Sequence, residues 1–591
     1  MNVNQANHFA RAVTGLKRKR TAFNRPNGLH CDFNAGKLIP IYCDEVLPGD
    51  TKSMSMSAVV RMTTPKFPVM DNAYMESFFF FVPCRQVWKH WQEFMGELGS
   101  APYVNPTVYE IPQVLVPVES SNELTKRKFN DVADYFGIPP CYSAVKASSA
   151  SVFSYYSVTA LKFRAYVKIW NDWFRDENLQ NAANMNDDET TLSYIADTGE
   201  PDDYVYSSQT GGALLPVDKY KDYFTAALPS PQRGEPVLLP LGQLAPVVFR
   251  ENAIVDSDSL SKVSFYDKDG YRVVPTAGSN YGLDTVGIGA KAANVAVTSH
   301  TGFLAHLANT SSSGGAPADG YQPLYLSSYV DLSEAGNVTV NQMRLAFQTQ
   351  KFFETSMRGG TRYVEIIKSM FGVSTSDYLM GRSEFLGGKR IPISLSEVNQ
   401  TAATADSPLG FTGAKSHTVF KDYVYKKSFT EHGYIIGVAC VRTDLSYAQG
   451  IERDWFRRDK LDFYFPVFAH IGEQPVYSRE IFADGEGSTT SSKGEVFGYQ
   501  EAWAEYRYKP TRATGFFRPQ AKGALPYTYT QLFANRPTLS ADFIAQKPDE
   551  IDRTIAVESS QASQFIADIY FNQRDVRVMP YDSVPSLIDH D

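Results

Sequence analysis

Gly387-Gly388-Lys389-Arg390 is the stretch of this chain nearest to a phosphate-binding loop. Glycines free backbone N–H groups to face an anion, and the lysine would add a positive charge. The run lacks the first glycine of that motif and the Ser/Thr that holds magnesium. His432 stands beside Glu431 in TEHGY, a pairing suited to general acid–base work. No nucleophile accompanies it, and a structural histidine near a strand start is the better reading. Asp256, Asp258, Asp267 and Asp269 offer the hard oxygen ligands that calcium takes, but not at EF-hand offsets. Turn chemistry accounts for them. Asn186–Glu189 (NDDE) reads as solvated loop charge. Metalloprotease, hydrolase-elbow and kinase motifs are absent. The five cysteines, Cys31, Cys43, Cys84, Cys141 and Cys440, are scattered and form no C-x-x-C pair. They are expected as buried thiols rather than disulfides or zinc ligands. N-x-S/T matches at Asn309, Asn337 and Asn399 carry little meaning without a secretory signal. The expectation is therefore no catalytic residue, no bound metal and no cofactor.

Elements, not reactive groups, dominate the pattern. The chain has 591 residues, of which 43% are hydrophobic and 13% aromatic, with 33 prolines and 40 glycines. That composition supplies an ample core, many turns and long loops. No run is apolar and long enough to span a bilayer, so no membrane insertion is expected. The start holds Asn, Gln and His rather than an apolar leader, which points to folding in a cytoplasm.

Strands are expected at Lys37–Val46, Ser53–Met62, Ser77–Pro83, Tyr434–Arg442, Leu461–His470, Val496–Tyr508 and Phe565–Phe571. From Trp503 to Tyr508 apolar and polar residues alternate at period two, ahead of Pro510. Helices are expected at Arg85–Met95, Thr125–Phe136 and Phe163–Gln180, the last carrying Phe163, Val167, Trp170 and Phe174 at helical spacing. Two more, Asn341–Ser356 and Thr361–Phe371, are broken at Gly359-Gly360. Short strands with helices and long loops between them indicate an antiparallel sandwich with large insertions.

The net charge is −8, which argues against a surface that wraps nucleic acid everywhere. Cations gather at the start instead: Arg11, Lys17, Arg18, Lys19, Arg20 and Arg25, with no acid before Asp32. The segment has little apolar periodicity and reads as an arm. Between about Gln243 and Gln322 small and polar residues replace the flanking aromatics, as in SSSGGAPADG from Ser311 to Gly320. A loop of that length in a compact domain is functional or disordered.

The block EVFGYQEAWAEYRYKP, from Glu495 to Pro510, resembles a block in the major capsid proteins of gokushoviruses, small circular single-stranded-DNA phages of the Microviridae. Further resembling blocks keep the family's order: CDEVLPGDT from Cys43, RMTTP from Arg61, PVMDN from Pro68 and FFFFVP from Phe78. FRAYVKIWNDWFRDENLQ follows from Phe163, KDYFTAALPSPQRG from Lys221, RGGTRYVEII from Arg358, and TEHGYIIG from Thr430. LDFYFP from Leu461, IDRTIAV from Ile551 and VPSLIDH from Val584 complete the series. The matches span nearly the whole chain.

The resemblance implies a mainly β fold, an eight-stranded antiparallel jelly roll with long, partly helical loop insertions. It implies residues 1–36 as a basic interior arm, 37–242 and 323–591 as the two parts of the jelly roll, and 243–322 as an exposed threefold projection. It implies a major capsid protein of the virion, assembled in the bacterial host cytoplasm into a T=1 icosahedral shell. The implied partners are further copies of itself in pentamers and shell, packaged circular single-stranded DNA and a small basic DNA-binding protein. An internal scaffolding protein during assembly and a bacterial surface receptor complete them. Arg11, Lys17, Arg18, Lys19, Arg20 and Arg25 are then DNA-facing candidates. Tyr266, Tyr271, Tyr281, Phe303 and Tyr321 are host-attachment candidates, the alternative being that they pack the projection itself. The other reading is a carbohydrate-binding or glycan-cleaving β-sandwich of a bacterial surface. It calls for an export signal and, if catalytic, a paired carboxylate, and neither is identifiable.

Overall fold

The run TKSMSMSAVVRM from Thr51 to Met62 alternates long apolar residues with small or polar ones, and it forms a strand with one face buried. Similar logic builds a computed structural model of nine principal strands and three longer helices. The strands are β1 (Thr21–Asn24), β2 (Asn27–Phe33), β3 (Ile39–Val46), β4 (Thr51–Met62), β5 (Ala73–Pro83), β6 (Glu384–Pro392), β7 (Thr418–Ser428), β8 (Gly433–Thr443) and β9 (Phe565–Arg577). The helices are α1 (Leu161–Trp173), α2 (Val340–Arg358) and α3 (Tyr363–Phe371). The structure describes residues 19–97, 108–119, 127–141, 154–237, 340–402, 409–410, 412–483 and 495–582, with short strands between Val247 and Val330. The chain forms two units, Met1–Arg233 with Glu354–Asp591, and Gly234–Phe353.

In the larger unit two antiparallel sheets face each other. One has the order β1/β2, β9, β4, β7, with β1 and β2 taking successive stretches of the same β9 edge. The other runs β6, β5, β8, β3. Met54, Met56 and Val60 of β4 and Ile569 and Phe571 of β9 meet Met75, Phe79 and Phe81 of β5 and Ile435 of β8 in one core. Strands β5 and β8 are buried on both faces. Their other sides, with Phe80, Val82, Ile436 and Val438, enter a second core with Phe163, Val167 and Trp170 of α1. That double burial is why Phe78–Val82 reads as an unbroken apolar run rather than an alternating one. A third core joins Tyr223, Phe224, Tyr447, Val476, Phe497 and Phe543.

In the smaller unit the described strands pair antiparallel. Val247–Phe249 pairs with Ser328–Val330, Phe265–Tyr266 with Arg272–Val273 and Tyr325–Leu326, and Tyr281–Thr285 with Ala305–Asn309.

Five expected elements differ. The helix expected over Phe163–Gln180 ends at Trp173. Leu461–His470 is not a strand: it holds 3-10 turns at Lys460–Asp462 and Pro466–Phe468, and Pro466 occupies the first residue of the second turn. The strand from Val496 stops at Glu501, and Trp503 takes a left-handed backbone, φ 65°, before a 3-10 turn at Ala504–Tyr506. There Trp503 donates its indole N–H to the Phe468 carbonyl at 2.9 Å and its backbone N–H to Gln474 at 3.1 Å. These tertiary bonds override the alternation. Arg85–Met95 is split into a turn at Cys84–Gln86 and one helical turn at Trp91–Phe94, around the fully buried Trp88. Within Thr125–Phe136 the helix is Val132–Tyr135, started by the Asp131 carboxylate accepting from the Asp134 N–H. Residues 125 and 126 lie outside the described residues. Helices α2 and α3 do break at Gly359-Gly360, where Gly360 has φ 87° and an added Cβ would meet the Glu365 carboxylate at 2.3 Å.

Candidate functional site

The residues with chemical potential are tied into structure. Gly387-Gly388-Lys389-Arg390 lies in β6, paired with Phe79 to Glu76 of β5. Added Cβ atoms would come within 2.4 Å of the Val424 carbonyl at Gly387 and of the Ser77 carbonyl at Gly388. The glycines therefore admit neighbouring strands, not a phosphate. Lys389 pairs with Asp422 at 2.6 Å, and Arg390 lies over the rings of Tyr74 at 3.7 Å and Tyr220 at 4.3 Å. Glu431 is held by Arg85 through two bonds of 2.8 and 3.3 Å, and His432 packs its ring against Trp91. The 186–189 run supplies carbonyls: Asp187 accepts from the Lys89 N–H, Asp188 from Arg164. Asp256, Asp258, Asp267 and Asp269 lie outside the described residues. Among the described residues no group of three His, Cys, Asp or Glu could hold a metal, and no helix could cross a membrane. All five cysteines are free thiols, with Cys84 and Cys440 buried and the other three half-buried. Burial pushes Cys84 and Cys440 up to about 12.

A cluster of charges lies where β3, β4 and β9 meet the link between β1 and β2. Lys52, fully buried on β4, donates to the Asp44 carboxylate and, at 2.6 Å, to the Glu45 carbonyl. Arg25, in the link between β1 and β2, binds Asp44 at 3.1 Å and Asp575 at 2.8 Å. Arg577 reaches Asp50 at 3.3 Å. Gln573 donates to Asp44 at 2.9 Å and to Asp575 at 2.7 Å, and it accepts from Tyr42. Cations and carboxylates balance, as a low-dielectric site requires. Burial would raise the Asp44 carboxyl, but Lys52 beside it, with bonds from Arg25 and Gln573, holds it below its ordinary value. The sequence carried no sign of this cluster, because its members come from four elements.

Of the arm residues, Arg11, Lys17 and Arg18 lie outside the described residues, and Lys19 is exposed. Arg20 donates to the Thr51 hydroxyl at 2.9 Å and to the Gly49 carbonyl. Arg25 belongs to the cluster above. Tyr266 and Tyr281 lie in short strands of the smaller unit, while Tyr271, Phe303 and Tyr321 lie outside the described residues.

A second feature is apolar and outward-facing. In the turns at 455–467, Trp455 is 76% exposed and Val467 87%, with Leu461, Phe463 and Phe465 exposed between them. Beside them Arg453 joins buried Glu480 and half-buried Glu505 at the wall of a cleft of about 200 Å³, with Tyr223 donating to Glu480 at 2.9 Å. The signal in the sequence was an aromatic run with a proline inside it, which suits exposed turns better than a strand.

A family model described as "Capsid protein (F protein)" matches residues 12–587. The chain is 36% identical over 612 residues to "Capsid protein VP1" of Chlamydia phage 1, with 98% of each chain covered. Identity is 35% over 563 residues to "Capsid protein VP1" of Spiroplasma virus 4, covering 94% of this chain and 93% of that one. It is 33% over 583 residues to "Capsid protein VP1" of Bdellovibrio phage phiMH2K, covering 98% and 97%.

Proposed function

The chain belongs to the F-protein family of phage capsid proteins, and on that premise we propose that it builds a T=1 icosahedral shell around circular single-stranded DNA. It is a microvirus major capsid protein, a structural component of the virion rather than an enzyme, and it assembles with further capsid subunits around a genome. This displaces the carbohydrate-binding or glycan-cleaving reading. The observation that carries the proposal is the match to family and relatives over nearly the full length.

The subunit's scaffold is read as an eight-stranded jelly roll, with β1 and β2 sharing one position and long, partly helical insertions between strands. Support comes from the strand order: two four-position antiparallel sheets whose neighbours are mostly distant in sequence, the arrangement of two Greek keys. In this reading the part of residues 1–36 ahead of β1 is an interior arm, since β1 and β2 join the sheet, and 243–322 is a projection over a threefold axis. Lys17, Arg18 and Lys19 would neutralise phosphates. With a net charge of −8 per subunit, a separate small basic protein lines the interior, and an internal scaffolding protein guides pentamers to closure. The projection meets a bacterial surface receptor through Tyr266, Tyr271, Tyr281, Phe303 or Tyr321. Electron microscopy and mass measurement of purified particles test the shell. Particles with T=1 geometry and DNA are expected; a strictly monomeric protein missing from the particle would overturn the reading.

A further inference from the structure

Among the described residues the outer face of the β2-β9-β4-β7 sheet is exposed, and its register fixes which residues lie side by side. Opposed residues on neighbouring strands sit about 5 Å apart and share a face. Across the sheet, Tyr570 of β9 stands between Gly28 of β2 and Ser57 of β4, and Ser57 is followed by Lys421 of β7. The next row is Asn572, Ser55 and Tyr423, and the one after it Arg574, Ser53 and Lys426. Tyr570 is 49% exposed and Tyr423 57%. Their neighbours are glycine, serine and asparagine, so both rings stand clear of the sheet.

The charge on this face is one-sided. Arg61, Lys421, Lys426 and Arg574 are exposed and have no carboxylate partner among the described residues. In the row next to Tyr570, Asp568 stands between His30 and Val59 and faces His30 at 3.3 Å. Asp32, at the far end, is held by Asn130 at 3.1 Å and by Ser563 at 2.5 Å. A surplus of cations on one sheet face runs against the chain's net charge of −8. The basic arm joins the same end of the sheet: Arg20 binds the Thr51 hydroxyl, and Thr51 is paired with Ser428 and Val576, next to the Lys426 and Arg574 row.

Exposed rings on a sheet, small neighbours and unpaired cations are what a single-stranded nucleic acid needs, since each base has a π-face to stack and each nucleotide a phosphate to neutralise. A duplex hides its base faces and would leave the tyrosines unused. We propose that this open sheet face is a contact surface for the packaged single-stranded DNA. Tyr570 and Tyr423 stack on bases, and Arg61, Lys421, Lys426 and Arg574 meet phosphates. The inference rests on the reading of a DNA-enclosing shell and adds to it a place on the subunit.

The test compares DNA-filled and DNA-free particles of the full chain. Lysine acylation at Lys421 and Lys426 and nitration at Tyr423 and Tyr570 should be suppressed in filled particles and proceed in DNA-free ones. Equal protection in both would put a second copy or another protein on the face; equal reactivity in both would leave it bare. Either result overturns the proposal. Particles that hold no nuclease-resistant DNA would instead overturn the enclosing reading and this contact with it. A second measurement uses oligo-dT binding by the purified chain. Tyr570→Ser should weaken it by roughly 5- to 100-fold. Lys421→Gln should lower the slope of log affinity against log salt by about 0.7. Unchanged binding and slope in folded variants would also overturn the proposal.

Discussion

Lys52 shows why single residues in this protein must be judged by what they leave behind. It is fully buried against Asp44, so Lys52→Ala strands a carboxylate as well as removing a cation. The variant should lose about 3–5 kcal/mol, read as a fall in the urea midpoint of the purified subunit. The pH dependence of two aspartates runs in opposite directions. Asp44 is held low in the fold, so its contribution is complete above the ordinary carboxylate range and is lost as pH falls through its folded value. Asp218 is pushed up to about 7, chiefly by burial. The folded chain then binds this proton more tightly than the unfolded one, and stability declines as pH rises from about 4 to 7. Asp218→Asn keeps a partner for Gln180, which donates to Asp218 at 2.7 Å, and should remove that decline. Melting at pH 5 and pH 8 checks this: the variant's advantage over the parent chain should be larger at pH 8 than at pH 5, by something of order 2 kcal/mol. None of this was legible in the sequence, since Arg25 meets Asp575 across 550 positions. Arg25 therefore read as a free cation of the arm.

At the scale of elements, legibility followed burial pattern. Strands β4, β5, β8 and β9 showed either strict alternation or an unbroken apolar run, and the structure has them close to where those patterns lie. Helix α1 also follows its pattern, though it ends at Trp173 because the chain turns there and Gln180 bonds back to the Asp176 N–H. The turns at 460–468 and 503–506 were misread because their aromatic residues imitate a strand, while their conformation is set by contacts with distant backbone. Strands β6 and β7 were missed: the exposed face of β7 carries Lys421, Tyr423 and Lys426, and β6 contains two glycines. Close packing of the second sheet yields a prediction. An added Cβ at Gly437 would lie 2.6 Å from the Phe79 ring and 2.9 Å from Tyr42 Cβ. Gly437→Ala should cost about 1–3 kcal/mol by overpacking, measured by urea unfolding, whereas Gly523→Ala, with nothing within 4 Å, should report only its left-handed backbone, φ 79°.

At the scale of the whole molecule, a subunit of a shell must keep surfaces that its own fold does not cover. The exposed turns bearing Trp455 and Val467 fit that need. Trp455→Glu combined with Val467→Glu should change subunit stability by less than about 0.5 kcal/mol and sharply lower particle yield, as sedimentation would show; normal particles would remove these turns from the subunit interface. Residues 243–322 make a further case. Replacing them with a short Gly-Ser linker should leave the larger unit folded, because doubling a flexible loop changes closure by only about 0.6 kcal/mol, and adsorption to cells compared with particle yield would separate attachment from assembly. The most far-reaching feature is the position of β9, seated between β2 and β4 although 550 positions part Arg25 from Asp575. On a ribosome adding roughly 5–20 residues per second, β2 and β4 wait about half a minute to two minutes for the strand that joins them. Throughout translation the first sheet has a gap at its centre, and an unfinished polypeptide has no completed sandwich to offer a neighbour. The first sheet is therefore completed only when the last strand of the chain has been made.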